Sequence, residues 1–304
     1  MDWRLKYVIR HGLLCLPGGE KAYRWLTASL LGTNAGMAYK WFRVIPAHYR
    51  ALYEQYGDDA RVQRCWCFDS GATMAAGLAI AIISDAPGLL TDHLQRLQDR
   101  YCAVSCQVLR EKGAELVTLS SAGADRVAHL LERVRHLPAE AALSAINVTY
   151  SPDHRMAAGA DWRGHIGCVF SAGTLEHYSA QALEEAVALM DEAVQPGGVM
   201  SHVVDHRDHR WHADKTISPL AHYSLEEGEY RRRFANPLEY HNRWLRRQYV
   251  ELFTRHGFHV TCRNRIEFTP DLPPLPDGYL ATPFQQAPLE ELHHLVTHFV
   301  AIKG

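Results

Sequence analysis

The densest group of chemically active side chains in the sequence is the stretch Ser-His-Val-Val-Asp-His-Arg-Asp-His at residues 201–209. Imidazole and carboxylate groups this close together can bind a metal ion, transfer protons or simply form the solvent-exposed end of a strand. Which of these applies depends on the elements that position the stretch.

The first half of this stretch has the apolar pattern of a strand. Strand alternation puts Asp205 on the face opposite His202, and a mid-strand histidine is predicted to lie in the core. His206 and His209 follow in the loop beyond the strand. Together with His177 they are candidate general bases, and Asp205 is the candidate group that orients one of them.

The same loop continues toward His212 and His222, for which a solvated position is the simplest interpretation. A metal site would need several of these imidazoles to converge, which their spacing permits without requiring. Structural and acceptor contacts of the loop therefore rank first, a general base second and a metal third. No metal is predicted.

Short apolar runs alternate with helical stretches through most of the chain. Strands are predicted at residues 64–69, 88–92, 145–153, 166–171 and 198–205, and helices at 71–86, 94–112, 123–137 and before Pro196-Gly197-Gly198. Alternation of this kind is typical of an α/β fold with a doubly wound parallel sheet.

The two ends of the chain differ from this pattern. A helix at residues 238–256 is followed by a strand from Phe258 and by a last strand, Thr-His-Phe-Val-Ala-Ile-Lys, which predicts an antiparallel pair at the sheet edge. Residues 1–60 look helical and are interpreted as a cap or lid. The expected organisation is this cap, a Rossmann-like domain at 61–304 and an insertion at 206–240 over the active site.

Polar residues end the predicted strands, at the edge where open parallel sheets bind ligands. Gly71 follows the first strand and would let backbone approach a ligand. Asp92 follows Asp69 by 23 residues, close to the spacing of about 20 residues that separates a glycine turn from a ribose-binding carboxylate. Taken singly, a tight turn explains Gly71 as well as a ligand does, and a helix cap explains Asp92 as well as a ribose does. The dinucleotide pattern GxGxxG is absent from this turn, so NAD and FAD are not expected.

Four stretches make the region from about residue 60 to residue 304 resemble class I S-adenosylmethionine-dependent methyltransferases. They are CWCFDSGATMAAGLAIA, LLTD, VFSAGTLEHYSAQALEEAVALMDEAVQPGGVMSHVVD and YHNRWLRRQYVELFTRHGF. The last is similar to a subset of the family with an S-H-x-x-D-x-x-D-H stretch at the fifth strand. The resemblance implies a Rossmann-like, mostly parallel sheet of seven strands.

The resemblance also implies S-adenosylmethionine as the cofactor and a role for each matching residue. Asp92 would bind the ribose, and Asp153 or its neighbour Met156 would border the adenine. The methionine end and the reacting methyl would lie near the remaining residues, which are Asp69, Gly71, Thr73, Ser171, Thr174, Glu176 and His177.

Some members of this family bind a divalent metal through an E-x-x-E-H motif at the fourth strand. This chain keeps Glu176 and His177 but has Gly173 in place of the first glutamate. With one ligand missing, the resemblance implies no catalytic metal.

Three functional hypotheses follow. The first is methyl transfer to an oxygen or nitrogen of a small molecule, in small-molecule biosynthesis. The second uses S-adenosylmethionine itself as substrate, in an intramolecular cyclisation that releases methylthioadenosine. The third is a non-catalytic methyltransferase-like partner protein.

Charge and cysteine content bear on partners and location. The net charge of −2 gives no overall electrostatic reason to bind nucleic acid or an anionic membrane. The seven cysteines are odd in number and several sit in apolar runs, which favours buried free thiols in a reducing, cytoplasmic location. The oligomeric state is left open, with a homodimer as one option.

Overall fold

The structure of the 304-residue chain is a computed structural model. It describes residues 8–9, 12–19, 22, 44–57, 64–70, 75–84, 86–92, 105, 107–109, 111–116, 124–134, 137, 139–234, 240–264, 272, 276 and 278–304. The predictions for Gly71 and Thr73 lie outside these residues, as does much of the predicted cap at 1–60.

Helices and strands alternate along the described chain. The helices are α1 (Ile45–Tyr56), α2 (Ala75–Ser84), α3 (Ala124–Val134), α4 (Ala139–Ala145), α5 (Ala180–Ala193), α6 (Arg210–Ala213), α7 (Glu227–Phe234), α8 (Arg246–Arg255) and α9 (Leu289–Leu292). The strands are β1 (Cys65–Cys67), β2 (Gly88–Thr91), β3 (Val148–Ser151), β4 (Ile166–Ala172), β5 (Val194–Asp205), β6 (Phe258–Asn264) and β7 (Val296–Lys303). Each strand predicted from an apolar run is present.

The strands form one seven-stranded sheet in the order β3-β2-β1-β4-β5-β7-β6. Strands β1 to β5 are parallel to one another, whereas β7 runs antiparallel to both β5 and β6. The predicted mostly parallel sheet with an antiparallel pair at one edge is confirmed. Because the order reverses between β1 and β4, that point is the topological switch, beside which α/β sheets bind ligands.

Both faces of the sheet are buried, which explains why its inner strands are apolar throughout. In β1, Cys65 and Cys67 join the core on the side of α1 and α2. Trp66 and the following Phe68 join the core on the side of α5 and α8. A parallel strand covered on both faces needs this continuous apolar run.

Helix α1 belongs to the first of these faces. Its Leu52 is fully buried, and Ala51 packs against Val199 of β5 and Val300 of β7. The Tyr56 hydroxyl donates a hydrogen bond to the Gly167 carbonyl at 2.8 Å. The C-terminal part of the predicted cap is therefore a layer of the sheet domain.

The most apolar run of the sequence, residues 71–86, contains α2. Leu78, Ile80 and Ile82 are buried in the same face as α1. The run is the buried helix that the sequence predicts, and no helix in the described part of the chain is long and apolar enough to cross a membrane.

Helix α5 covers the second face. Its residues Leu183, Val187 and Met190 recur at helical spacing and are all fully buried, as the pattern predicts. Ser179 caps the start of the helix, and its hydroxyl accepts a hydrogen bond from the Ala182 amide at 3.2 Å. A serine in this position satisfies one of the free amides of the first turn.

The predicted helix at 238–256 is wrong in its first part. Helix α8 begins at Arg246, and residues 240–245 form an irregular segment. Arg243 has a φ of 58°, outside the helical region, and its side chain is held by distant carbonyls, as described below. Pro196-Gly197-Gly198 also differs from expectation, since α5 ends at Ala193 and these residues form the irregular start of β5.

The histidine of β5 lies in the core, as strand alternation predicts. His202 is fully buried, and its Nδ1 forms a hydrogen bond with the Ser171 hydroxyl at 2.8 Å. The neighbouring Ser201 points to the other face, where its hydroxyl bonds His48 at 2.7 Å and His298 at 2.8 Å. Burial, and secondly His298, lower the pKa of His202 from its ordinary value near 6.5 to about 3.

Three cysteines support the prediction of buried free thiols. Cys65, Cys67 and Cys168 are free and buried in the sheet. Burial raises the pKa of the Cys65 thiol to about 12, so it is an unreactive thiol at neutral pH. Cys102 and Cys106 lie outside the described residues.

Replacing His202 with glutamine should make the fold less sensitive to acid. The ring stays neutral in the folded state to about pH 3, but the unfolded chain takes up a proton below the ordinary pKa near 6.5. Its contribution to stability is therefore present above pH 6.5 and is lost as the pH falls toward the folded-state pKa. From neutral pH to about pH 4.5, the wild-type unfolding free energy should fall by about 2–3 kcal/mol more than that of His202→Gln.

Urea unfolding at the two pH values measures this difference. His165→Gln, at an exposed position, is the matched control and should keep the wild-type pH dependence. An identical acid sensitivity in His202→Gln and wild type would contradict the assignment of a neutral, buried ring.

Candidate functional site

The carboxyl ends of β1, β2 and β4 meet at the topological switch. Asp69 follows β1 with a φ of 53°, a conformation that turns the chain sharply away from the sheet. The next amide, of Ser70, donates to the Thr91 carbonyl at 2.8 Å. Asp92 follows directly and is fully buried, with its amide bonded to the Ser151 carbonyl at 3.2 Å. Two of the predicted acids thus end neighbouring strands at the same edge.

A chain of hydrogen bonds connects this edge to the Asp69 carboxylate. The Trp66 indole donates to the Thr91 hydroxyl at 2.8 Å, and that hydroxyl lies 2.6 Å from Nδ1 of His154. The His154 Nε2 lies 3.4 Å from the Tyr178 hydroxyl, which donates to Asp69 at 3.3 Å. One direction of donation satisfies every member, because the indole can only donate and the carboxylate can only accept.

His154 and its neighbour Asp153 point in different directions. The Asp153 carboxylate is half exposed, where it accepts bonds from the amide and guanidinium of Arg155. The His154 ring turns inward and stacks on Phe68 with ring centroids 4.4 Å apart. His154, rather than the predicted Asp153, therefore faces the ends of β1 and β2.

Asp205, at the end of β5, connects the second half of the site. Its carboxylate accepts bonds from Arg207 at 2.8 Å to each oxygen and from Nε2 of His212 at 3.1 Å. Its amide donates to the Glu176 carboxylate at 3.4 Å, and its carbonyl accepts from His241 at 3.1 Å. Burial alone would raise the pKa of Asp205, but the bonds from His212 and Arg207 outweigh it and hold the pKa well below its usual value.

The structure therefore gives Asp205 a different histidine partner from the predicted ones. His206 is buried, and its ring nitrogens bond the Trp244 carbonyl at 3.0 Å and the Thr297 hydroxyl at 3.1 Å. Burial is the main cause that lowers the pKa of His206 to about 4. These contacts favour a structural role for His206, which ties β5 to β7 and to the 240–245 segment.

Three imidazoles cluster above Glu176. The ring centroid of His209 lies 4.9 Å from that of His177 and 4.7 Å from that of His241. Burial, and then the two neighbouring histidines, hold the pKa of His209 well below its ordinary value, so its ring is neutral. His177 is exposed, and its Nδ1 donates to the Tyr240 carbonyl at 2.8 Å. Its Nε2 is therefore the basic nitrogen.

The remaining predicted residues lie beneath this cluster. Thr174 and Glu176 are buried at the turn after β4, and the Asn242 amide donates to the Glu176 carbonyl at 2.8 Å. The Ser171 hydroxyl instead bonds His202 inside the sheet. Two groups of side chains have ligand atoms within 4.8 Å of one another, as metal ligands would, and they share His209. They are Glu176, His177 and His209, and Asp205, His209 and His212.

Arg243 holds the long segment after β5 over the site. Its guanidinium is buried, donates to the carbonyls of His222 at 2.9 Å and Leu225 at 2.7 Å, and pairs with Glu227. It also stacks on the Tyr230 ring, 4.0 Å from the centroid. The expected solvated position of His222 is wrong, because this packing buries it.

Sequence reasoning missed three residues of the site, which are His154, Tyr178 and His241, and it interpreted His212 as a solvated loop residue. Asp153 at the start of a helical turn is a typical N-cap, so its capping role could have been predicted and His154 preferred. The seven-residue spacing between Asp205 and His212 gives no comparable indication, since it depends on how the loop folds.

Comparisons with known proteins give structural matches only. No protein-family model matches it, and no curated protein matches its sequence. Among solved structures, it is similar to CurJ carbon methyltransferase, at 13% identity and a TM-score of 0.40, over 80% of this chain and 49% of that chain.

Two further structures match to a comparable degree. One is an O-methyltransferase family protein from Burkholderia thailandensis, at 13% identity and a TM-score of 0.41, over 86% of this chain and 57% of that one. The other is phosphoethanolamine N-methyltransferase 2 from Haemonchus contortus in complex with S-adenosyl-L-methionine, at 15% identity and a TM-score of 0.41, over 85% and 57%. The chain spans about half the length of these three chains, and at these TM-scores the likeness carries no argument about its activity.

Replacing Arg243 with methionine should lower the free energy of unfolding by about 2–3 kcal/mol, because the buried His222 carbonyl and the partly buried Leu225 carbonyl lose a charged donor. Arg247→Met is the matched control, since that side chain is exposed on the first turn of α8, and it should change stability by less than about 0.5 kcal/mol. Urea unfolding of both variants measures the difference. Equal stability of the two variants would contradict the structural role given to Arg243.

Proposed function

We propose that the protein transfers the methyl group of S-adenosylmethionine to an oxygen or nitrogen of a small molecule. The observation that carries this proposal is the fully buried carboxylate of Asp92 at the end of β2, next to Asp69 at the topological switch. A carboxylate there lies at the edge where α/β sheets bind their ligands. The two hydroxyls of a ribose are suitable donors for such a group.

The side chains at this edge match the chemical groups of the cofactor. In the proposal Asp92 accepts from the ribose hydroxyls, and Asp69, held by Tyr178, faces the positively charged methionine amine. The partly exposed His154 ring, stacked on the buried Phe68, offers an aromatic surface for the adenine. The other proposed contacts are those that the sequence resemblance implies at Gly71, Thr73, Thr174 and Glu176; the structure turns Asp153 outward and bonds Ser171 to His202.

S-adenosylmethionine supplies a methyl group already activated by its sulfonium. The protein then has to align an acceptor, exclude water and remove a proton where the acceptor carries one. The exposed His177 suits the last task, because the Tyr240 carbonyl holds its Nδ1 proton and leaves Nε2 basic. His209 lies beside it with a neutral ring. Asp205 acts as a positioning residue through His212 and the carbonyl bond to His241.

The segment over the site supports a small-molecule acceptor. It carries the partly exposed Trp211 near the Asp205 pair, with the Arg207 guanidinium 5.1 Å from its ring centroid. An aromatic ring beside histidines suits a modest polar or aromatic molecule. The net charge of −2 gives no reason to expect a nucleic acid in its place.

Replacing Asp92 with asparagine should weaken binding of S-adenosylhomocysteine by about 10- to 100-fold, because the ribose hydroxyls lose a charged acceptor. Calorimetric titration of the purified chain measures the affinity. Asp161→Asn, at an exposed site between β3 and β4, is the matched control and should bind as tightly as wild type. Circular dichroism checks that both variants remain folded.

Two outcomes would contradict the proposal. Wild-type protein that does not bind S-adenosylhomocysteine would remove the cofactor from the account. Release of methylthioadenosine from S-adenosylmethionine alone, at enzymatic turnover, would make the cofactor the substrate and exclude methyl transfer as the reaction.

A further inference from the structure

We infer that Asp205, His209 and His212 form a binding site for one divalent transition-metal ion. The three residues come from one short stretch with the spacing Asp-x3-His-x2-His. One ligand atom of each lies within 4.8 Å of the other two. The inference departs from the expectation of no metal, goes beyond methyl transfer and does not depend on it.

The distances fit a shared ion. Two atoms that bind one ion at about 2.1 Å in neighbouring positions lie about 3 Å apart. Nε2 of His212 and Oδ2 of Asp205 are 3.1 Å apart. Two imidazoles on one ion have ring centroids about 5 Å apart by the same geometry, and those of His209 and His212 are separated by 5.4 Å. Without an ion, a hydrogen bond connects His212 Nε2 and Asp205 Oδ2.

The protonation states also suit metal binding, which requires deprotonated ligands. The pKa of Asp205 is held low by His212 and Arg207 against the effect of burial, so the carboxylate is ionised. The pKa of His209 is lowered by burial and by His241 and His177, so a nitrogen lone pair is available. The bond from Arg207 orients the carboxylate, as groups behind metal ligands commonly do.

The ligand set indicates the class of ion. Two imidazoles and one carboxylate suit zinc, iron(II), cobalt(II), nickel or manganese better than calcium or magnesium, which prefer oxygen. Three protein ligands leave at least one position open for water or an acceptor oxygen. The His212 side chain is 33% exposed, so an ion can enter from solvent.

Metal titration of the full chain, without a histidine tag and after treatment with a chelator, tests the site. Cobalt(II) should bind at a ratio of one ion per chain and give visible absorption bands that zinc then removes by competition. His212→Ala should weaken binding at least about tenfold. His165→Ala, at an exposed position, should bind as wild type does.

A second variant separates this site from the neighbouring group of Glu176, His177 and His209. His177→Ala should keep wild-type affinity for cobalt(II). If His177→Ala loses binding while His212→Ala keeps it, the ion lies in the neighbouring group and the inference is wrong. Absence of stoichiometric binding, or an equal loss in His165→Ala, would also overturn it. None of these readouts requires methyl transfer, so failure of the proposed function would leave the result unchanged.

Discussion

The ionised carboxylate of Asp205 is the interaction on which the geometry of the site depends. It lies at the end of β5 and is largely buried, a position that is costly for a charge unless strong donors compensate. Arg207 and His212 supply those donors. Through its backbone the same residue reaches Glu176 below and His241 above. One residue therefore fixes the relative positions of the turn after β4, the loop after β5 and the segment before α8.

The rest of the site depends on segments far apart in sequence. Arg243 folds the region after β5 back over the sheet by bonding carbonyls about twenty residues earlier. On the other side of the switch, the hydrogen bonds from Trp66 through Thr91, His154 and Tyr178 reach Asp69. The sheet brings these ends together because its parallel strands share one carboxyl edge. The proposed ribose and amine contacts, Asp92 and Asp69, lie on one side of the switch, and the histidine cluster lies on the other.

The sheet was predictable from the sequence because apolar runs and helical spacing are local properties. Alternation within β5 correctly placed His202 in the core, and Leu183, Val187 and Met190 correctly defined the buried face of α5. The site was predictable only at the strand ends, as with Asp69 and Asp92. The partner of Asp205 and the burial of His222 depend on a long loop whose path is set by Arg243 in a non-helical conformation. No local pattern encodes that path.

The most direct test of the account is a crystal structure of the protein with S-adenosylhomocysteine. The account predicts the ribose hydroxyls within hydrogen-bonding distance of the Asp92 carboxylate, the amino acid end near Asp69, and the sulfur directed toward the cluster of His177 and His209. A nucleoside bound away from the carboxyl ends of β1, β2 and β4, or with its ribose apart from Asp92, would contradict it.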